Sequence, residues 1–233
     1  PKQQAAFRKA NNQLTFFHDE KKIQLEIHWR LFANAYLLSL SFDQLLKDST
    51  PLSIGKNTVN CLSNTHLLFY LCAHGAKHHW ALLYWLVELA ALVQKENFEW
   101  ESLLQEAFKL EVERPLIQGV MLLEVLFGIQ APENIRKQYH ANKPIQNLVE
   151  TSKQIILGDR ENILHKSIAN YWKVLSYKMK LKKSLRYKAA YWKLTSINDF
   201  ELVKLPDALF FSYFWLRPVF WFWRYLIQPI KKE

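Results

Sequence analysis

"LCAHGAKHHWALLYWLVELA", residues 71–90, decides the fold class. Its apolar positions recur every three or four residues, which is the period of a helix and not of a strand. Followed outward, the pattern predicts one long helix over residues 64–95, with Ser63 or Asn64 as its N-cap. One stripe of that helix reads Leu67, Leu71, His74, His78, Ala81, Trp85, Glu88 and Leu92. Its apolar ends are expected to face the core, which leaves a polar band in the middle of a buried stripe. A buried polar group without a partner costs roughly 1–3 kcal/mol. The band is therefore either hydrogen-bonded structure or the lining of a site. Lys77 and His79 flank it, and Ala73, Gly75 and Ala76 keep this part of the helix slim, so another group can approach closely.

His74 and His78 have the i, i+4 spacing of zinc-binding helices, but Gly75 stands where the H-E-x-x-H motif needs its glutamate. The favoured reading is a pocket for an anionic ligand, lined by His74, Lys77 and His78 with Trp85 and Glu88 further along. A zinc site and a satisfied pair of core histidines are the alternatives.

Upstream, "NNQLTFFHDEKKIQLEIHW", residues 11–29, alternates as a β-hairpin. Leu14 and Phe16 mark the first arm, "HDEK" turns, and Ile23, Leu25, Ile27 and Trp29 mark the second. The second arm is expected to bury that face and to present Gln24, Glu26 and His28 on the other. An isolated hairpin is only marginally stable, so further strands outside these residues are expected. Residues 30–47 take helical spacing, and residues 48–63 read as a loop broken by Pro51 and Gly55, with a short extended piece near Val59. Downstream, Asn97 is expected to cap a helix, Pro115 and Gly128 bracket the next, and Pro132 and Pro144 open two more. Residues 162–194 read as helical, and the aromatic tail is interrupted by Asp207 and by Arg217–Pro218. The tail is no membrane span but suits a helix lying at an interface. Core packing or a subunit contact is its bland alternative.

Half of the 233 residues are hydrophobic and only 5 are glycine, which permits a substantial, mainly helical core. Cys61 and Cys72 are too few for a disulfide framework, and Cys72, mid-helix among apolar neighbours, reads as a buried free thiol of a reducing compartment. No signal peptide is recognised at the start, and a first residue other than Met suggests a fragment of a longer chain. The formal charge is +10. Between Glu161 and Asp199 there is no acid, while Lys166, Lys173, Lys178, Lys180, Lys182, Lys183, Arg186, Lys188 and Lys193 stand there. Such a block attracts phosphates or serves as a solvated helix face. With the aromatics between Phe210 and Tyr225 it suits an anionic membrane surface. Nucleic acid is the least favoured partner, because no recognised module accompanies the block. No dinucleotide fingerprint, P-loop or nucleophile elbow is present. The fold class expected is mainly α (α+β), with a helical bundle-like domain behind an N-terminal β-hairpin. The domains expected are residues 1–30, 31–158 and 159–233.

The series "LEIHWRL", "LLFYLCAHGAKHHWALLYWLVELAAL", "FEWESLLQEAFKLEVERPL" and "LLEVLFGIQAPE", with the closing "LPDALFFSYFWLRPVF", resembles a family of bacterial nucleotidyltransferases with a polymerase-β-like catalytic fold. Its members often occur among glycan-synthesis proteins. The resemblance implies a small sheet carrying three carboxylates, two of them from a D-x-D strand, that hold Mg²⁺ against the phosphates of a nucleoside triphosphate. On that basis the hairpin is a remnant of the sheet, and Glu26 is the third carboxylate, a metal ligand or the group that activates the attacking hydroxyl. His28 is expected to contact phosphate or to orient Glu26. The acceptor is left unspecified, and the expected location is cytoplasmic or peripheral to the inner membrane. The D-x-D strand is not found: Asp43, Asp48, Asp159, Asp199 and Asp207 are isolated. The family's W-x-R-L-x-W-x-x-D reads here with Trp80, Leu82, Trp85 and Glu88, so its arginine and aspartate are replaced. One carboxylate does not organise two metals, so residues 1–233 alone are expected to be inactive.

Overall fold

A computed structural model describes residues 7–8, 10–159, 167–193, 202–203, 205–209 and 211–223. It is mainly helical, with two antiparallel strand pairs. The chain divides into two compact units. The first takes residues 1–36, 166–168 and 185–233, and the second takes residues 37–165 and 169–184. The segment expected from residue 159 onward is thus shared between the two.

In the first unit, β1 (Gln13–His18) pairs with β2 (Ile23–His28). Leu14 lies opposite Ile27 and Phe16 opposite Leu25, so the apolar residues share one face; Thr15 opposite Glu26 and Gln13 opposite His28 share the other. The pairing and the division of faces are as the alternation implies. The burial is not: Leu14, Phe16, Ile23, Leu25 and Ile27 are each 43–58% exposed. The hairpin's base is tied down by Trp29, whose backbone N–H donates to the Asn12 carbonyl at 3.0 Å, and by Arg30, which donates to the Asn11 carbonyl at 2.6 Å. Among the described residues of this unit are two helices called α9 (Leu185–Lys193) and α10 (Ser212–Phe222) below.

The second unit begins with α1 (Phe42–Lys47), closed by a capping box between Ser41 and Gln44. Residues 30–41, expected to be helical, are turns and bends instead. A second hairpin follows, β3 (Thr50–Ile54) with β4 (Asn57–Cys61), where a loop was expected. Gly55, with φ 60°, is the first residue of its two-residue turn.

The long helix expected over residues 64–95 is two helices, α2 (Asn64–Lys77) and α3 (Leu83–Lys95). Ser63 caps α2 through the His66 N–H. The break lies at His79 and Trp80, both left-handed (φ 59° and 56°), and Trp80 N–H donates back to the Gly75 carbonyl at 2.7 Å. Left-handed backbone costs roughly 1–2 kcal/mol per residue. Burying an indole, a side chain of ~150–250 Å² at ~25 cal/mol per Å², returns roughly 4–6 kcal/mol. Trp80 is fully buried, so burial wins and the helix ends.

The remaining helices are α4 (Trp100–Lys109), α5 (Glu113–Phe127), α6 (Glu133–His140), α7 (Lys143–Gln154) and α8 (Ile168–Lys180). Glu99, not Asn97, is the N-cap of α4. Gly128 ends α5 in the left-handed region, and Pro132 and Pro144 open α6 and α7 as expected. Buried Leu68, Phe69, Cys72, Leu86, Leu89, Leu116, Ile117 and Leu122 form the core of α2, α3 and α5. At its centre Gln118 donates to the Leu148 carbonyl (3.1 Å), Ser152 Oγ (2.9 Å) and Tyr177 OH (2.8 Å), while Tyr177 donates to the Ala76 carbonyl at 3.0 Å. That network binds α2, α5, α7 and α8 together. Both cysteines are free, and burial pushes the Cys72 thiol up.

Candidate functional site

The residues singled out in the sequence fall in both units, and each group is built by its own unit. In the first, β2 holds Glu26 and His28 on the polar face of the hairpin, two residues apart and therefore side by side. Asn12 Nδ2 lies 3.3 Å from His28 Nδ1, so the ring accepts there and carries its proton on Nε2. His28 Nε2 lies 3.3 Å from Glu26 Oε2, and Gln24 donates to Glu26 Oε1 at 2.9 Å. The hydrogen bond from His28, seconded by Gln24, holds the Glu26 carboxyl below the usual carboxylate range against a small desolvation effect. Glu26 is thus an ionised, half-exposed carboxylate with both oxygens oriented. As one ligand it fits Mg²⁺, which takes one or two carboxylates and completes its octahedron with water and phosphate. No group of three His, Cys, Asp or Glu able to hold a metal occurs among the described residues. Among the described residues Glu26 is thus a lone carboxylate and not part of a complete metal site.

In the second unit the break between α2 and α3 does not scatter the polar band. The His74 and His78 rings lie 4.8 Å apart, and Trp85 stands 5.1 Å from the first and 5.3 Å from the second. Tyr70 extends the stack at 5.6 Å from His74. The stripe is not the core face, however. Leu67, Leu71, His74, His78 and Trp85 are only half-buried, and the buried face of α2 lies one position over, at Leu68, Phe69, Cys72 and Ala76. Burial, aided by the charges of Lys77, His74 and Lys178, pushes His78 down to about 3, so at neutral pH it is an uncharged imidazole. Glu88 is exposed and makes no ion pair among the described residues. The space beside Gly75 is filled from within the chain: a Cβ there would lie 2.4 Å from Trp80 Cε3.

Two further residues belong to this neighbourhood: His79, expected beside the band, and Lys178, not expected near it. Lys178 on α8 donates to the carbonyl of Lys77, at the negative end of α2. Burial first, and Lys77 second, push its ammonium down to about 7. His79 stacks on Tyr177 at 4.3 Å, and burial pushes it down to about 2. The signal for Lys178 was present in the sequence only as one member of a long basic block.

The sequence matches the model of a protein family described as an uncharacterised nucleotidyltransferase, over residues 3–128. The chain belongs to that family. The match covers more than half of the 233 residues, and it holds both groups: Glu26 and His28, and His74, Lys77, His78, Trp85 and Glu88. It ends at Gly128, so α6 to α10 and the likeness noted in the tail lie beyond it. No curated protein and no solved structure matches the chain. For this nucleotidyltransferase family member, a nucleotide is the substrate that the family description implies.

Proposed function

We propose that the chain takes part in Mg²⁺-dependent transfer of a nucleotidyl group from a nucleoside triphosphate to an acceptor, one belonging to polysaccharide synthesis. The observation that carries this reading is Glu26: an ionised carboxylate, oriented by His28 and Gln24, within the family's matched region. When bound, Mg²⁺ neutralises phosphate charge and aligns attack in line. Glu26 supplies one oxygen ligand or accepts the proton of the attacking hydroxyl. His28 acts through Glu26, because its Nε2–H fixes one carboxylate oxygen while Asn12 fixes the tautomer. The second unit, taken by itself, offers the Lys77 ammonium for an anion, with Trp85 and the uncharged His78 supplying flat surface and hydrogen-bonding nitrogen. One carboxylate does not complete a two-metal centre, so among the described residues Glu26 supports nucleotide binding and not turnover.

The test is calorimetric titration of nucleoside triphosphates, with and without Mg²⁺, into the chain and its Glu26→Gln variant. Binding that needs Mg²⁺ and weakens about tenfold or more in the variant supports the reading. Equal affinity in both proteins contradicts it.

A second reading, docking on an anionic membrane, is favoured by α10. Phe211, Phe214, Trp215, Val219, Phe222 and Trp223 form one exposed stripe, Trp215 being 73% exposed, while Tyr213 and Phe220 face inward. No helix among the described residues is long and apolar enough to cross a membrane, so contact would be peripheral. Of the residues expected to serve it, Lys166, Phe210 and Tyr225 lie outside the described ones.

A further inference from the structure

Beyond Gly128, where the family match stops, α7 and α8 are tied together at Ser152 and Tyr177 (3.2 Å between hydroxyls). Beside that tie they leave a cleft of about 450 Å³, within the range of small-molecule sites. Three features of its lining converge. Lys173 and Lys180 stand seven residues apart on α8, on one face and roughly 10 Å apart along the axis. Neither ammonium is ion-paired among the described residues, whereas Lys137, Lys153, Lys182 and Lys183 all face carboxylates. Among the described residues no acid lines the cleft; the nearby Glu150 carboxylate is engaged by Lys153 and Gln154. The opposite wall is a ladder of uncharged polar groups, Asn147, Thr151 and Gln154, at one-turn spacing on α7. Thr151 already donates to the Asn147 carbonyl and Gln154 Nε2 to Glu150, so these two have acceptor oxygens to spare. Trp172 closes the rim with an indole 59% exposed.

Ammoniums ask for an anion, amides and hydroxyls ask for a ligand rich in hydroxyls, and an exposed indole asks for a flat apolar face. A pyranose ring bearing a phosphate answers all three. We infer that the cleft between α7 and α8 binds a sugar phosphate, with the phosphate between Lys173 and Lys180, ring hydroxyls on Asn147, Thr151 and Gln154, and the ring against Trp172. The inference goes beyond nucleotidyl transfer and makes no use of Glu26.

The test titrates the full chain with glucose 1-phosphate and glucose 6-phosphate, and separately with glucose, inorganic phosphate and ATP. Saturable binding of a hexose phosphate is expected, tighter than glucose or phosphate alone. It should weaken about tenfold or more in Lys173→Gln/Lys180→Gln and in Trp172→Ala. It should stay unchanged in Glu26→Gln, so its failure is separable from failure of the nucleotide reading. These side chains are surface groups, and unchanged melting temperatures would show that the variants fold. Absence of saturable binding by either hexose phosphate would overturn the inference, as would affinity undiminished in the double variant. So would ATP binding more tightly and being lost in that variant, which would give the cleft to nucleotides.

Discussion

A buried tryptophan directly after a left-handed histidine, Trp80 after His79, shows how single side chains divide the long apolar run at residues 64–95. Trp80 folds back over α2 until its ring lies against Gly75 on one side and Gly119 on the other, where a Cβ would meet it at 2.4 and 3.0 Å. The small residues of "AHGA" did signal a close approach, but the group that approaches is the next turn of the same chain and not a ligand. Gly75→Ala should therefore act as overpacking, with a loss of roughly 1–3 kcal/mol and a matching fall in melting temperature. A thermal melt of that variant unchanged from the parent would mean that Trp80 is not where its packing places it. His74, His78 and Trp85 were legible as a group because their spacing survives the break. Lys178 and Tyr177 were not, since each meets α2 from about a hundred residues away.

Among the elements, those with strong local signals were read correctly and those set by packing were not. The β1–β2 hairpin follows from strict alternation, and Pro144 and Gly128 mark the ends where they were expected. The β3–β4 hairpin escaped because "TPLSIGKNTVN" has few apolar residues and a proline, which a two-stranded edge tolerates. The helix expected over residues 30–47 shrank to α1 because its apolar residues, such as Phe32, Leu37 and Leu38, are buried from bends instead of one helical face. The stripe on α10 gives this scale its prediction. Vesicles containing anionic lipid should retain the chain at low salt, less so at high salt, and Trp215→Ser/Phe222→Ser should reduce retention severalfold. If flotation leaves the chain unbound at both salt concentrations, α10 packs against protein and not lipid.

For the whole molecule, a charge of +10 on 233 residues accompanies two compact units, the first of which holds the oriented Glu26 carboxylate. The family match embraces the hairpin and the helices through α5, where the resemblance singled out Glu26 and helical spacing singled out the band on α2 and α3. It does not reach the cleft on α7 and α8, beside the tie at Ser152 and Tyr177. The central claim is that metal-bound nucleotide sits at the polar face of β2. Nuclear magnetic resonance with Mn²⁺ in place of Mg²⁺ tests it most directly. With nucleotide present, substoichiometric Mn²⁺ should broaden the amide signals of Gln24 and His28 first, and Glu26→Gln should abolish that broadening. Broadening that spares β2, or that persists there in the variant, would contradict the account.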